Sequence, residues 1–116
     1  MPSPLARPPL SDPDLDRFRA TLEALQRVCR SQMQAASSVL EELRSGGAVT
    51  DPALQPPLMS ALQALDTAER SSIEVADALA RLDRGTFGSC ARCEATIPVE
   101  RLELRPFDRL CAGCSR

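Results

Sequence analysis

The sequence predicts a mainly α-helical protein that ends in a small cysteine-rich module. Two long stretches repeat apolar residues at alternating steps of three and four, which is the spacing of one face of an α-helix. Four cysteines form two CxxC pairs near the end of the 116-residue chain. The ten prolines, and the scarcity of β-branched residues ahead of the cysteines, argue against a large sheet.

The first predicted helix begins at Ser11 or Asp12 and ends near Gly46. Serine and aspartate are favoured helix caps, and glycine is a frequent C-terminal stop. The predicted inward face comprises Leu15, Phe18, Leu22, Leu25, Cys29, Gln32, Ala36, Val39 and Leu43, and only the polar Gln32, with Met33 beside it, breaks the apolar pattern. Because this spacing persists over four heptads, we expect the helix to pack against a second helix with a left-handed crossing.

A second stretch with the same spacing follows a cluster of prolines and ends at Arg84-Gly85. Its predicted inward face comprises Leu58, Ala61, Leu65, Ala68, Ser72, Val75, Leu79 and Leu82. Since only a short link joins the two helices, they must run antiparallel. We therefore divide the chain into a disordered Pro-rich tail (1–11), a coiled-coil helical hairpin (12–84) whose turn occupies 45–57, and a small finger (85–116).

The two cysteine pairs are Cys90 with Cys93 and Cys111 with Cys114, and 17 residues lie between them. Cysteine pairs at this spacing are typical of a tetrahedral zinc site. The segment 85–116 has only seven large apolar residues, too few to stabilise so short a segment without a metal or disulfides. We predict one structural zinc ion, since four thiolates leave no position for a catalytic water. The predicted fold class is thus a long antiparallel coiled-coil helical hairpin with a small C-terminal four-cysteine zinc finger.

Two disulfides, or a redox CxxC, are the alternatives to zinc. The N-terminal residues lack the apolar run of a signal peptide, and no stretch is apolar for long enough to span a membrane, so we expect a cytoplasmic protein. Cytosolic thiols stay reduced, which favours a metal. A redox motif of thioredoxin type would need a βαβ pattern, which the sequence lacks. The fifth cysteine, Cys29, is expected to be a small buried apolar residue.

The charge distribution disfavours DNA binding. Residues 1–83 carry eight arginines against twelve acidic residues, and residues 84–116 carry six against four. Four ionised thiols and one zinc ion bring the finger near neutrality, whereas nucleic-acid-binding domains usually carry a basic patch. We expect no sequence-specific DNA binding, although Arg101, Arg105 and Arg109 could contact phosphate. An enzyme is also disfavoured, because the chain has no histidine, no nucleophile–base arrangement and no Gly-rich phosphate loop.

The predicted turn of the hairpin contains Asp51 followed by Pro52, which is a typical helix-start pair. Under one interpretation Asp51 caps a short turn that leads into the second helix. Under the other, an exposed carboxylate stands at the end of the hairpin and could be inserted into a narrow opening.

The segment 78–90, ALARLDRGTFGSC, leads into the first cysteine pair, and an Arg-Leu-Glu run with Pro106 precedes the second. This pattern resembles the DksA/TraR C4-type zinc finger family. The resemblance implies a bacterial transcription regulator that binds RNA polymerase directly. It implies that the hairpin enters the secondary channel of the polymerase, where acidic residues at its turn act near the catalytic centre. We expect a monomer with RNA polymerase as its partner and no membrane contact.

In this resemblance Asp51 matches the first acidic residue of the family's turn, while Leu54 stands where the second is expected. These two are the candidate partner-binding residues. Glu94 replaces the glycine that commonly follows the first cysteine pair, at a position that often needs a turn conformation. The departure at Leu54 favours a second interpretation, in which the protein is a zinc-stabilised protein–protein adaptor without action at the polymerase active site.

Overall fold

The computed structural model describes residues 10–115. Its elements are helix α1 (Asp12–Ser45), a 3-10 turn (Pro52–Leu54), helix α2 (Gln55–Arg84) and the short helix α3 (Val99–Leu104). The described residues contain no strand, only one isolated antiparallel bridge in the finger. The mainly helical fold class, with two long helices in a hairpin, is confirmed. The predicted Pro-rich tail falls outside the described residues except at its end, and the predicted domain division stays a prediction.

The chain divides into two compact units. The turn unit is Leu25–Ile73, which contains the hairpin turn. The finger unit takes in the described residues up to Ala24 together with those from Glu74 onward. None of the described helices is both long and apolar enough to cross a membrane.

In the turn unit, α1 ends on the predicted glycines. Gly47 has a φ of 89°, a left-handed conformation that glycine adopts without steric cost. The Gly47 N–H donates to the Arg44 carbonyl at 3.1 Å, and the Ala48 N–H donates to the Leu43 carbonyl at 2.9 Å. These two bonds form a Schellman motif, which satisfies carbonyls that the end of a helix would otherwise leave unpaired.

In the turn unit, the inward face of α1 is interrupted at Gln32, as the sequence suggests, and its prediction is wrong at Val39. Gln32 is exposed and Val39 is 43% exposed, whereas Leu40 is buried and Met33 is half-buried. A straight α-helix drifts by about 20° per heptad from a strict seven-residue repeat. After three heptads the drift is about 60°, more than half the 100° between neighbouring residues, so the face moves on by one residue. Steps of four, three and four then describe the face better than a heptad does, and the left-handed crossing stays a prediction.

The inward face of α2 agrees with its prediction as far as Val75. Ala61 and Ala68 are buried in the turn unit, and Val75 is buried in the finger unit. In the finger unit the buried set also includes Ala78 and Arg81, which the repeat did not predict.

The finger unit has its own apolar core. Its members come from the first turns of α1, the segment after α2 and the helix α3: Phe18, Leu22, Phe87, Ile97 and Leu102. Helix α2 ends at Gly85, with a φ of 76°, in a second Schellman motif. In it the Gly85 N–H donates to the Leu82 carbonyl and the Thr86 N–H to the Arg81 carbonyl. This stop directs the chain into the cysteine-containing segment.

Candidate metal centre and hairpin turn

The four predicted ligands lie together. The sulfur atoms of Cys90, Cys93, Cys111 and Cys114 all lie within 4.8 Å of one another, and those of Cys93 and Cys111 are 3.6 Å apart. A tetrahedron with zinc–sulfur bonds of about 2.3 Å has sulfur–sulfur edges of about 3.8 Å. The cluster therefore has the size and the donor atoms of a tetrahedral zinc site. All five cysteines belong to the described residues and none is paired in a disulfide, while Cys29 is buried outside the cluster.

The first cysteine pair lies in a tight turn that two backbone bonds close. The Cys90 N–H donates to the Ala95 carbonyl at 2.8 Å, and the Glu94 N–H donates to the Cys90 carbonyl at 2.9 Å. Closing this turn requires a left-handed residue at Glu94, whose φ is 64°. The expectation that this position needs a turn conformation is therefore confirmed, and here a side chain occupies it at a steric cost.

The second cysteine pair is closed in the same manner and is bonded to the first. The Cys114 N–H and the Ser115 N–H both donate to the Cys111 carbonyl, at 3.1 and 3.0 Å. The Cys111 N–H points to the Cys90 sulfur, 3.4 Å away. A second link joins the Ala91 N–H to the Arg109 carbonyl at 2.8 Å. The backbone thus aligns the two pairs across the cluster.

Without a bound cation, the thiols of the cluster have unequal pKa values. The N–H of Cys111, followed by other backbone donors, lowers the pKa of Cys90 to about 6. Hydrogen bonds that the Cys114 thiol donates to the sulfurs of Cys111 and Cys93 favour its protonated form and raise the pKa of Cys114 to about 12. Sulfurs this close cannot all carry negative charge unless a cation lies among them. A bound dication removes that obstacle, because thiols that coordinate a metal are deprotonated.

Behind the second cysteine pair lies a group of charged residues that sequence reasoning missed. Arg81 of α2 is only 5% exposed, and its Nη2 donates to the Phe107 carbonyl at 3.2 Å. Arg101 forms an ion pair with Asp108, with Nε and Oδ2 2.9 Å apart. No periodic signal points to this group, because neither Arg81 nor Ala78 belongs to the predicted inward face of α2. The sequence offers Arg101 for phosphate contact, whereas in the structure its Nε pairs with Asp108 and its Nη2 donates to Ser115.

The hairpin turn contains both candidate partner-binding residues. Asp51 is exposed, and its Oδ1 accepts a bond from the Ala53 N–H at 3.0 Å, which makes it the cap of the 3-10 turn. Leu54 is half-buried. The turn is also held from inside, because the Gln55 side chain donates to the carbonyl of the fully buried Ala48. Both interpretations of Asp51 thus remain compatible with its geometry.

Comparisons with known proteins bear on the finger and on the fold. Residues 85–116 match the family model described as the prokaryotic dksA/traR C4-type zinc finger. A protein of Aquifex aeolicus (strain VF5), described as an uncharacterized protein, is 43% identical over 42 residues, which are 36% of this chain. That match spans only 29% of the length of the Aquifex protein.

The solved structure of the transcription factor DksA2 from Pseudomonas aeruginosa is similar to this chain with a TM-score of 0.80. It is 23% identical, and the match covers 90% of this chain and 82% of the DksA2 chain. At this identity the likeness establishes the fold. The resemblance found in the sequence is therefore confirmed over residues 85–116 as a dksA/traR C4-type zinc finger, and its cofactor is one structural zinc ion.

Proposed function

We propose that this protein is a DksA/TraR-type transcription regulator that binds RNA polymerase directly and inserts its hairpin turn into the secondary channel. The observation that carries the proposal is an exposed carboxylate, Asp51, at the turn of a hairpin whose fold is that of a transcription factor. The family of the finger supports the same interpretation. The protein acts as a non-enzymatic monomer in the cytoplasm, without a membrane contact.

Within this proposal, zinc has a structural part. Cys90, Cys93, Cys111 and Cys114 are the ligands, and the ion supplies the folding energy that the small apolar core of the finger does not. Each thiolate occupies one corner of the tetrahedron, so no water is activated there.

The carboxylate of Asp51 is the group that acts on the polymerase. The cap bond from the Ala53 N–H orients this carboxylate while the side chain stays exposed to a partner. A negative charge presented at a catalytic centre that binds cations and phosphates changes the stability of complexes formed there. Since Leu54 is apolar and half-buried, one carboxylate carries this effect alone.

The charge balance of the finger supports a protein partner over DNA. Of the three arginines that could contact phosphate, Arg101 is paired with Asp108, while Arg105 and Arg109 are exposed. The four acidic residues of segment 84–116, together with four thiolates and one zinc ion, balance its six arginines, whereas a DNA-binding domain usually carries a net basic patch.

The half-buried Leu54 favours one alternative. If a single carboxylate is insufficient, the protein is a zinc-stabilised adaptor that binds another protein without action at the polymerase active site. The two proposals differ in one measurement, which is the effect of the protein on transcription in vitro from a promoter that forms an unstable open complex.

The test compares Asp51→Asn with Asp66→Asn. Both changes remove one exposed negative charge from the turn unit, but Asp66 lies along α2 in an ion pair with Arg70. We expect wild-type protein and both variants to bind core RNA polymerase at micromolar concentration, and only Asp51→Asn to lose the effect on transcription. If wild-type protein does not bind polymerase at that concentration, the proposal is wrong. If it binds but wild-type and Asp51→Asn proteins act alike, the adaptor is the better description.

A further inference from the structure

We infer that Arg81 and Asp108 are positioning residues for the zinc site, because Arg81 fixes the segment that leads into the second cysteine pair onto helix α2 and Asp108 fixes it onto helix α3. The inference depends on zinc binding by the four cysteines. It does not depend on RNA polymerase as the partner.

Arg81 connects α2 to that segment. It is the one buried charged residue among residues 10–115. Its Nε lies 3.2 Å from a carboxylate oxygen of Asp77, one turn earlier on α2. On the other side, Nη2 and Nη1 point to the carbonyls of Phe107 and Asp108, at 3.2 and 3.5 Å. The guanidinium thus bridges a helix and two consecutive carbonyls that lie shortly before Cys111.

Asp108 connects the same segment to α3. Its Oδ2 lies 2.9 Å from Nε of Arg101, and its Oδ1 accepts a longer bond from the Leu110 N–H at 3.4 Å. The Nη2 of Arg101 donates to the Ser115 hydroxyl at 3.0 Å. The chain is therefore held both before Cys111 and directly after the last cysteine.

Burial of these charges would be costly without a compensating role. Burial lowers the pKa of the Arg81 guanidinium, because desolvation penalises its charged form. Segment 105–110 has no helix or strand of its own to fix it. Fixing its backbone in advance means that metal binding need not order it, so part of the entropic cost of assembling the site is removed. Groups that orient metal ligands from outside the coordination shell typically change metal affinity by about 10–100-fold.

The competing explanation is that Arg81 only packs α2 against the finger. Under that explanation its removal lowers the stability of the zinc-loaded protein but leaves the metal site unchanged. The two explanations therefore differ in zinc affinity and in the spectrum of a bound metal.

The experiment measures zinc affinity by competition with a chromophoric chelator for the full chain and for Arg81→Met, which retains the apolar stem. Arg70→Met is the matched control, since Arg70 forms an i,i+4 ion pair on the same helix but is exposed. Wild-type protein should bind one zinc ion, and failure to do so removes the basis of the inference. We expect Arg81→Met to weaken zinc binding by about tenfold or more and Arg70→Met to change it by less than about twofold.

Cobalt(II) in place of zinc supplies the second readout, because its visible absorption reports the tetrahedral thiolate geometry. We expect an altered spectrum for Arg81→Met, an intermediate zinc affinity for Arg81→Lys, and the wild-type spectrum for Arg70→Met. If Arg81→Met does not fold, the test uses Asp108→Asn instead. We expect that variant to lose zinc affinity by about tenfold. The inference is overturned if the zinc affinity of the tested variant changes by less than about twofold. It is also overturned if the melting temperature falls while the zinc affinity and the cobalt spectrum stay unchanged.

Discussion

The ring of Phe18 in α1 packs against the ring of Phe87 in the finger segment, with centroids 5.4 Å apart and planes inclined at 50°. Both side chains are buried, and they are two of only three phenylalanines in a chain without tyrosine or tryptophan. The tilted arrangement is one that aromatic pairs favour. The pair joins the beginning of α1 to the residues that lead into the metal site.

Loss of this contact should destabilise the finger unit. We expect Phe18→Ala to lower the free energy of unfolding of the zinc-loaded protein by about 3 kcal/mol, because it removes a buried ring and leaves a cavity. Urea unfolding followed by circular dichroism measures the change. Leu104→Ala is the control, since Leu104 is 85% exposed and its loss should cost less than about 0.5 kcal/mol. Equal losses for the two variants would contradict a buried core around Phe18.

The left-handed conformation of Glu94 should make glycine favourable at that position. This conformation costs a residue with a side chain about 1–2 kcal/mol, and glycine avoids that cost while it loses some entropy on folding. We expect Glu94→Gly to stabilise the zinc-loaded protein by about 1 kcal/mol in thermal or urea unfolding. Glu94→Ala removes the same carboxylate but keeps the strained backbone, so it should gain nothing. If both variants gain equally, the carboxylate and not the backbone is responsible.

Zinc removal should unfold the finger. We expect chelation to abolish the dispersed amide NMR signals of residues 85–115 and added zinc to restore them, because binding energy of a structural zinc ion is folding energy. NMR is used because a chain without tryptophan or tyrosine lacks the intrinsic fluorescence by which unfolding is often followed.

Two cysteine variants separate the cluster from the rest of the chain. Cys90→Ser should lose the stoichiometric zinc that metal analysis is expected to find in the wild-type protein. Cys29→Ser removes a similarly buried thiol that lies outside the cluster, and it should retain one zinc ion. Loss of zinc from Cys29→Ser, or retention of zinc by Cys90→Ser, would be incompatible with the four-cysteine site.

Local sequence signals were sufficient where one element determines the outcome. The glycines at 47 and 85 end their helices in the predicted places, since only a left-handed residue closes such a stop cheaply. The cysteine spacing predicted a cluster because two short turns fix the relative positions of four sulfurs.

Prediction from the sequence failed where a small error in the helix repeat accumulates, and where residues far apart in the sequence make contact. A seven-residue template drifts from a real helix, so Val39 was assigned to the inward face that Leu40 occupies. The contact between Arg81 and the carbonyl of Phe107 joins residues 26 positions apart. The residue pattern of a single helix carries no information about a contact with another segment, so the sequence alone could not predict this one.

The two interpretations of Asp51 predict different outcomes for two substitutions at that position. Asparagine caps a turn about as well as aspartate, whereas alanine cannot accept the bond from the Ala53 N–H and should cost about 1 kcal/mol. We therefore expect Asp51→Asn to unfold within about 0.5 kcal/mol of the wild type and Asp51→Ala to be less stable, as urea titrations would measure. If the negative charge acts on a partner, both variants lose the effect on transcription, despite their different stabilities. Activity that survives in Asp51→Asn and falls only in Asp51→Ala would instead assign Asp51 the single role of a cap.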